Sequence, residues 1–424
     1  VNIEQLYEVY RRYPAVQTDT RKLKPGDIFF ALRGPNFNGN GYAQQALDAG
    51  AAYAVVDDPV FYTVPEKMML VPDALQALQE LANHHRRQFS IPFIGITGTN
   101  GKTTTKEMVR TVLGSVYRTY ATAGNLNNHI GVPLTLLGIP PDAEMAVIEM
   151  GANHQLEIEG YCKVALPTHG LITNIGKAHL EGFGSEEGVR KAKGELYDHL
   201  RANGGTAFVC RDYPYLVEMS KGIGTVITYG RENADYTGTP AAGTALLELE
   251  TKATGRIATQ LVGDYNFPNV MAAIAIGLHF NVPPEKIRDS IEQYIPSNNR
   301  SQIVQRGSNT FIMDAYNANP SSMKAAIANF AGLNAPAKVL LLGAMKELGA
   351  DSLHEHQALA ELLQQTHWKA VVLVGGDFEK ISHPYIFLPT AEDARRWVEQ
   401  QAFEDTSFLV KGSRSVGMEK VLPE

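Results

Sequence analysis

A chain of 424 residues, 44% hydrophobic and 20% charged, has ordinary globular composition and is too long for one hydrophobic core, so three domains are expected. No apolar run approaches the roughly 20 residues that cross a bilayer, and a net charge of −7 leaves no dominant basic field, which argues against membrane and nucleic-acid partners alike. Cys162 and Cys210 lie far apart and match no metal-ligand spacing, and Val1-Asn2-Ile3-Glu4 lacks the basic and long apolar regions of a signal peptide, so a reducing cytoplasm is expected.

Residues 1–88 read as a small α/β unit. A strand over 27–34 enters a turn, a short helix over 43–50 ends on glycine, and 51–57 forms another strand. The loops Thr18-Asp19-Thr20-Arg21 and Arg33-Gly34-Pro35-Asn36-Phe37-Asn38-Gly39 carry two arginines; on physical grounds alone they are solvated surface. A helix over 72–87, with leucines at 75, 78 and 81, leads to Ile91-Pro92, beside the first boundary at 88/89.

Then comes Ile94-Gly95-Ile96-Thr97-Gly98-Thr99-Asn100-Gly101-Lys102-Thr103-Thr104-Thr105, an apolar strand running into a Gly-rich turn and a helix. Glycines let the backbone wrap an anion, amides at the helix start point at it, Lys102 adds positive charge, and Thr103 is placed to put its hydroxyl on a magnesium ion. The usual phosphate-loop pattern wants glycine where Ile96 stands, so the strand-turn-helix context carries the assignment.

Across 89–297, apolar strands at 93–97, 145–149, 170–174, 206–210 and 225–229 alternate with amphipathic helices, which predicts a mostly parallel sheet covered on both faces. Ligands sit beyond the carboxyl ends of such strands, so the residues just after them are the ones to read for chemistry. Glu149 puts a carboxylate on the phosphate-loop edge, fit to hold a magnesium ion or its water, and His179 brings an imidazole there. A lone histidine is more often structural, and composition gives no reason to single out Lys193 on its helix. The loop from Gly124 to Pro133, with Asn125, Asn127 and Asn128, is expected between helical segments, with more hydrogen-bonding groups than a connector needs. Hairpins are expected over 231–260, then a long helix over 270–280. Asn266 and Asn269 precede it or open it, able to serve a base edge or to cap the helix. From 298 to 424 a second doubly wound module is expected, with strands at 310–314, 338–343, 370–375 and 407–411 and helices near 321–333, 353–366 and 391–402.

Taken together, Gly98-Thr99-Asn100-Gly101-Lys102-Thr103, Glu149, Asn174 to Glu181, Lys193, Asn266 with Asn269, Arg300 and Asp314 resemble the Mur ligase family in order and separation over nearly the whole chain. Gly124-Asn125-Leu126-Asn127-Asn128, Ile148-Glu149-Met150-Gly151-Ala152-Asn153-His154, Ala192-Lys193-Gly194-Glu195, Asp314-Ala315-Tyr316-Asn317-Ala318-Asn319-Pro320 and Lys411-Gly412-Ser413-Arg414 are similar to the branch that adds D-alanyl-D-alanine to UDP-N-acetylmuramoyl-tripeptide.

That resemblance implies three domains: an N-terminal one (1–88) holding the uridine diphosphate end of the substrate, a central P-loop ATPase (89–297) and a Rossmann-like C-terminal domain (298–424) closing over both. It implies ATP and two magnesium ions as cofactors, with Gly98, Thr99, Asn100, Gly101, Lys102, Thr103 and Thr104 around the phosphates. Thr103, Glu149, His179 and a carbamylated Lys193 would hold the metal, Asn266 and Asn269 the adenine, Asp314 the ribose and Arg300 the γ-phosphate. Thr20, Arg21, Arg33, Asn127, Asn128 and Asn317 fall at substrate-binding positions, and Lys102, Glu149, His179, Lys193 and Arg300 at catalytic ones. The implied activity is ADP-forming peptide-bond synthesis through an acyl phosphate, by a cytoplasmic monomer acting on small molecules in peptidoglycan precursor synthesis. The competing readings are another ligase of the superfamily, adding one amino acid or acting on a folate, and an ATPase switch that joins nothing. Two departures stand out: Asn38-Gly39-Asn40 where relatives often have Asp-Gly-His, and no acid at Ala344-Met345-Lys346.

Overall fold

The computed structural model describes residues 1–242, 244–297 and 299–423. Three sheets follow one another along the chain, each alternating with helices, giving three α/β units.

The central sheet is built around Phe93–Thr97, whose five residues are all buried, as expected of a strand covered on both faces. Met145–Glu149 flanks it on one side and His169–Ile172 on the other, both parallel, with Ile96 opposite Glu149 and Thr97 opposite Ile172. Their carboxyl ends therefore share one edge, and the loops after them meet there. Thr119–Ala121 extends the sheet beyond Met145–Glu149, while Thr206–Cys210, Thr225–Gly230 and Tyr236–Pro240 extend it parallel on the other side. Leu246–Thr251 and Gly255–Val262 close it with the antiparallel hairpins expected over 231–260. One expectation fails: the asparagine loop lies between strand Thr119–Ala121 and helix Gly131–Leu137, not between two helices. Three half-buried residues with no alternation give that strand no sequence signature.

The N-terminal sheet is parallel throughout, in the order Val16–Gln17, Ile28–Phe30, Tyr53–Val56 and Met68–Leu70. The expected strand over 27–34 stops at Phe30, and Arg33–Gly34 turns instead into a two-residue hairpin with Phe37–Asn38. Gly39 sits where a Cβ would lie 2.3 Å from the Leu32 carbonyl oxygen, so the chain can double back only with glycine there. Helix Ala74–Arg86 turns Leu78 and Leu81 into the same apolar cluster that holds Phe93, Ile94, Val132 and Leu136 of the central unit. Its Arg86 reaches across to the carbonyls of Ala165 (2.7 Å) and Leu166 (2.9 Å), at the carboxyl end of helix Glu157–Ala165, and lies 3.5 Å over the Phe93 ring. A cation suits the negative end of a helix.

In the C-terminal unit Asn309–Asp314, Thr406–Lys411, Ala337–Gly343, Ala370–Val374 and Ile386–Leu388 run parallel in that order, with Gln302–Arg306 antiparallel at one edge. Separate apolar clusters cover its two faces. The expected 297/298 boundary abuts Asn298, which lies outside the described residues.

Candidate active site

A cavity of about 660 Å³ opens where the carboxyl edge of the central sheet faces that of the C-terminal sheet. Thr99 to Thr104, Asn127, Asn128, Glu149, His179, Asn266, Asn269, Arg300, Asp314 and Asn317 all line it.

Helix Lys102–Gly114 begins at Gly101, whose φ of +80° belongs to the left-handed region. A Cβ there would stand 2.7 Å from Asn269, so glycine is demanded twice over. Lys102 folds back onto its own loop, its Nζ 2.8 Å from the Gly98 carbonyl and 3.1 Å from that of Thr99. Burial pushes its ammonium down from the ordinary lysine range, partly offset by Glu149, and Arg300 adds like charge.

Glu149 is 1% exposed. Its Oε1 accepts the Thr103 hydroxyl (3.1 Å) and the Asn127 amide (2.9 Å), while Oε2 accepts no hydrogen bond from the described residues. Behind it lies a residue that sequence reasoning missed. Lys106, fully buried, has its Nζ 2.6 Å from the Thr122 carbonyl, 2.8 Å from Glu107 and 3.8 Å from Glu149 Oε2. A lysine on a helix carries no signal of burial in its neighbours, so only packing reveals it.

An orphaned carboxylate oxygen beside a phosphate loop has the chemistry of a hard-cation ligand. Among the described residues no three of His, Cys, Asp and Glu gather as a metal cage. A magnesium ion, which typically takes one or two carboxylates and fills its shell with phosphate oxygens and water, fits that donor set.

Lys193 is buried beneath the cavity rather than on its wall, with Nζ 3.2 Å from the Ala152 carbonyl and 5.1 Å from the Phe183 ring centre. Burial, with Lys102 as a further like charge, pushes its ammonium well below the ordinary lysine range. His179 is on the wall, its Nδ1 against the carboxylate of Glu347 from the C-terminal unit.

Asn266 and Asn269 are buried in the wall but largely engaged: Asn266 donates to the Val262 carbonyl (2.8 Å) and Asn269 to the Asn266 oxygen (3.0 Å). Helix capping, the alternative use, is absent at Asn266, whose side chain makes no cap bond. Asn128 accepts the amides of Ile130 (3.1 Å) and Gly131 (2.8 Å), shaping the turn into the next helix. Asp314 is paired with Lys411, and Arg300 lies 3.6 Å over the Tyr316 ring.

Thr20, Arg21 and Arg33 are not brought to this cavity. Arg21 is exposed and bidentate to Asp19 (2.9 and 2.8 Å), and Arg33 pairs with Asp57 at 2.7 Å. The departure at Asn40 has a local explanation: its amide donates to Asp57 (2.7 Å) and Asn38 (2.8 Å), and its oxygen accepts the Asp57 amide (3.0 Å). A neutral side chain suits a position already flanked by that aspartate and its arginine.

Among the bonds that join the C-terminal unit to the central one over the cavity are those from Asn319 to Asn100 (2.7 Å), from the Lys177 amide to Ser321 (2.9 Å), and from Lys177 to Glu355 (2.7 Å).

Three family models match the chain in turn: "Mur ligase family, catalytic domain" over residues 12–86, "Mur ligase middle domain" over 96–277 and "Mur ligase, glutamate ligase domain" over 299–414. The UDP-N-acetylmuramoyl-tripeptide--D-alanyl-D-alanine ligase of Bacillus subtilis is 34% identical over 96% of this chain and 92% of its own. A crystal structure of MurF from Acinetobacter baumannii superposes with a TM-score of 0.87 at 31% identity, covering 99% of this chain and 97% of that one. MurF ligase from Thermotoga maritima in complex with ADP gives 0.86 at 25% identity, covering 96% of each chain. Three models matched in chain order, and a relative 34% identical over nearly the whole length, place these three α/β units and the cavity between them in one lineage: the chain belongs to the Mur ligase family.

Proposed function

We propose that this protein joins D-alanyl-D-alanine to UDP-N-acetylmuramoyl-tripeptide at the expense of ATP. The carrying observation is that one cavity is walled by a phosphate loop on one side and by strand ends of a second α/β unit on the other. Similarity to the Bacillus subtilis ligase over 96% of the chain supports the substrate pair.

In this reading ATP lies on the loop with Lys102 and Thr103 at its phosphates, Arg300 at the γ-phosphoryl group, Asp314 near the ribose and Asn266 with Asn269 near the base. A carboxylate oxygen of the tripeptide attacks the γ-phosphorus and ADP leaves, giving an acyl phosphate. The dipeptide amine then attacks the acyl carbon, and phosphate departs with that oxygen. Magnesium, held by Thr103, Glu149, His179 and carbamylated Lys193, would neutralise phosphate charge in the transfer. Asn127, Asn128 and Asn317 face the peptide, while Thr20, Arg21 and Arg33 act on the uridine end in the unit 1–88. The unit 298–424, closed on 89–297, keeps water from the acyl phosphate.

Carbamylation of Lys193 has a physical rationale. Burial holds this amine toward its neutral form against the opposing pull of Glu157 and Glu195; the neutral form can add carbon dioxide and shed a proton, and the product is an anion near Lys102. Intact-mass measurement under carbon dioxide, wild type against Lys193→Met, reads it directly.

Phosphate release should require the tripeptide precursor and the dipeptide together, and oxygen label in the tripeptide carboxylate should pass to phosphate. Turnover without the dipeptide, or label that stays put, would overturn the scheme.

A further inference from the structure

His179 and Glu347 meet across the seam between the central and C-terminal units: among the described residues the buried Nδ1 of His179 has no hydrogen-bond partner and lies against the Glu347 carboxylate, and both residues stand in the left-handed backbone region, at φ +51° and +62°. Two non-glycine residues in that region at one contact mark a place where the surrounding structure holds the backbone against its preference. The seam supports them from both sides. The Glu181 amide donates to the Glu347 carbonyl at 3.4 Å, and Gly349, at φ +54°, brings its chain so close that a Cβ would touch the Glu181 backbone at 3.4 Å. Lys177, two residues before His179, is tied to Ser321 and Glu355.

We propose that Glu347 is a positioning residue: its carboxylate accepts a hydrogen bond from the Nδ1–H of His179, which keeps the proton on Nδ1, so that Nε2 is the unprotonated nitrogen offered to the cavity. This rests on the reading that His179 serves the cation. Histidines that bind metal commonly donate their other ring proton to a carboxylate or carbonyl, which fixes tautomer and ring orientation and makes the ligating nitrogen more basic. Here that carboxylate comes from the other side of a domain seam. His179 lines the cavity and Glu347 does not, so the glutamate stands behind the ring rather than competing with it for the cation. The consequence is a coupling: the imidazole is fully oriented only while the C-terminal unit is docked, and the cation site is complete only in the closed enzyme.

Two readouts separate this inference from the reading beneath it. Nitrogen-15 NMR of the full chain without metal reports the His179 tautomer: protonated Nδ1 in the wild type, and a mixture of tautomers in Glu347→Ala. A wild-type ring protonated at Nε2, or a tautomer unchanged in the variant, overturns the proposal. Mn²⁺ titration followed by EPR, with a non-hydrolysable ATP analogue bound, should show the weaker ion losing about 10–100-fold in affinity in Glu347→Ala, and no further loss when Glu347→Ala is added to His179→Asn. A tautomer change with unaltered Mn²⁺ affinity would overturn the cation role of His179 and, with it, the coupling. Glu347→Gln, which keeps the size and a neutral acceptor, should fall between wild type and alanine in both readouts and covers the case in which the alanine variant does not fold.

Discussion

Asp314 and Lys411 are register partners at the carboxyl ends of adjacent parallel strands, with carboxylate and ammonium 2.7 Å apart at the cavity wall. Lys411 is 3% exposed and Asp314 17%, and the ammonium also reaches the Asn317 carbonyl at 3.2 Å. The pair therefore joins the ends of two strands to the loop that follows one of them. Removing the cation leaves a mostly buried carboxylate unpaired, so Lys411→Met should cost about 2–3 kcal/mol in urea unfolding. Adding Asp314→Asn should restore much of that stability without restoring ligase activity. A stable, fully active Lys411→Met would refute the pairing.

Lys106 should prove as costly to lose as any residue on the cavity wall. Lys106→Met keeps the stem but strips the Thr122 carbonyl of its donor and leaves Glu149 without its nearby buried cation. A destabilisation of about 3 kcal/mol is expected, together with weaker Mn²⁺ binding. Equal melting temperatures for variant and wild type would show that the ammonium neutralises nothing that matters.

Gly101→Ala tests the phosphate loop. The new methyl meets Asn269 and the residue must hold a positive φ, so a cost of about 1–2 kcal/mol falls on the bound loop geometry. ATP affinity, read by calorimetry, should drop about 5- to 30-fold. Gly101→Ala combined with Asn269→Ala relieves the contact but not the dihedral, and should recover only part of the loss.

His169 should make the protein acid-sensitive. Burial against Phe208, His279 and Phe280, with His279 as a further like charge, pushes its imidazole down to about 4. The folded state thus binds the proton less tightly than the unfolded chain. Stability from this group is complete above the ordinary histidine pKa of about 6.5 and is lost as pH falls from there toward 4, up to about 3 kcal/mol. Urea midpoints measured between those pH values should slope less in His169→Gln; an identical slope would assign the effect elsewhere.

Much of the site was legible because its signals are local. The phosphate loop declares itself by strand, glycines, lysine and helix within a dozen residues, and the buried strands Phe93–Thr97 and Met145–Glu149 by uninterrupted apolar runs. What stayed hidden depends on distance along the chain. Asn100 and Asn319 bond across 219 positions, and no window contains both. Lys106 looks like any solvent-facing lysine until the sheet covers it. Edge strands such as Gln302–Arg306, half-buried or exposed along their length, carry no apolar pattern to read. The pairing of Arg33 with Asp57 was hidden in the same way, since 24 residues separate the two.

The apolar cluster that runs from Leu6 through Leu81 into Phe93 and Leu136 has a consequence for taking the protein apart. Severing the chain after residue 88 would not free two self-sufficient pieces, because each would carry half of a common interior and Arg86 would lose the helix end it clasps. Those first two units should melt as one block. The third unit keeps an interior of its own, whose buried core takes only Leu180 and Val262 from the described residues of the central one, so it can part from the others at the cost of far less apolar contact.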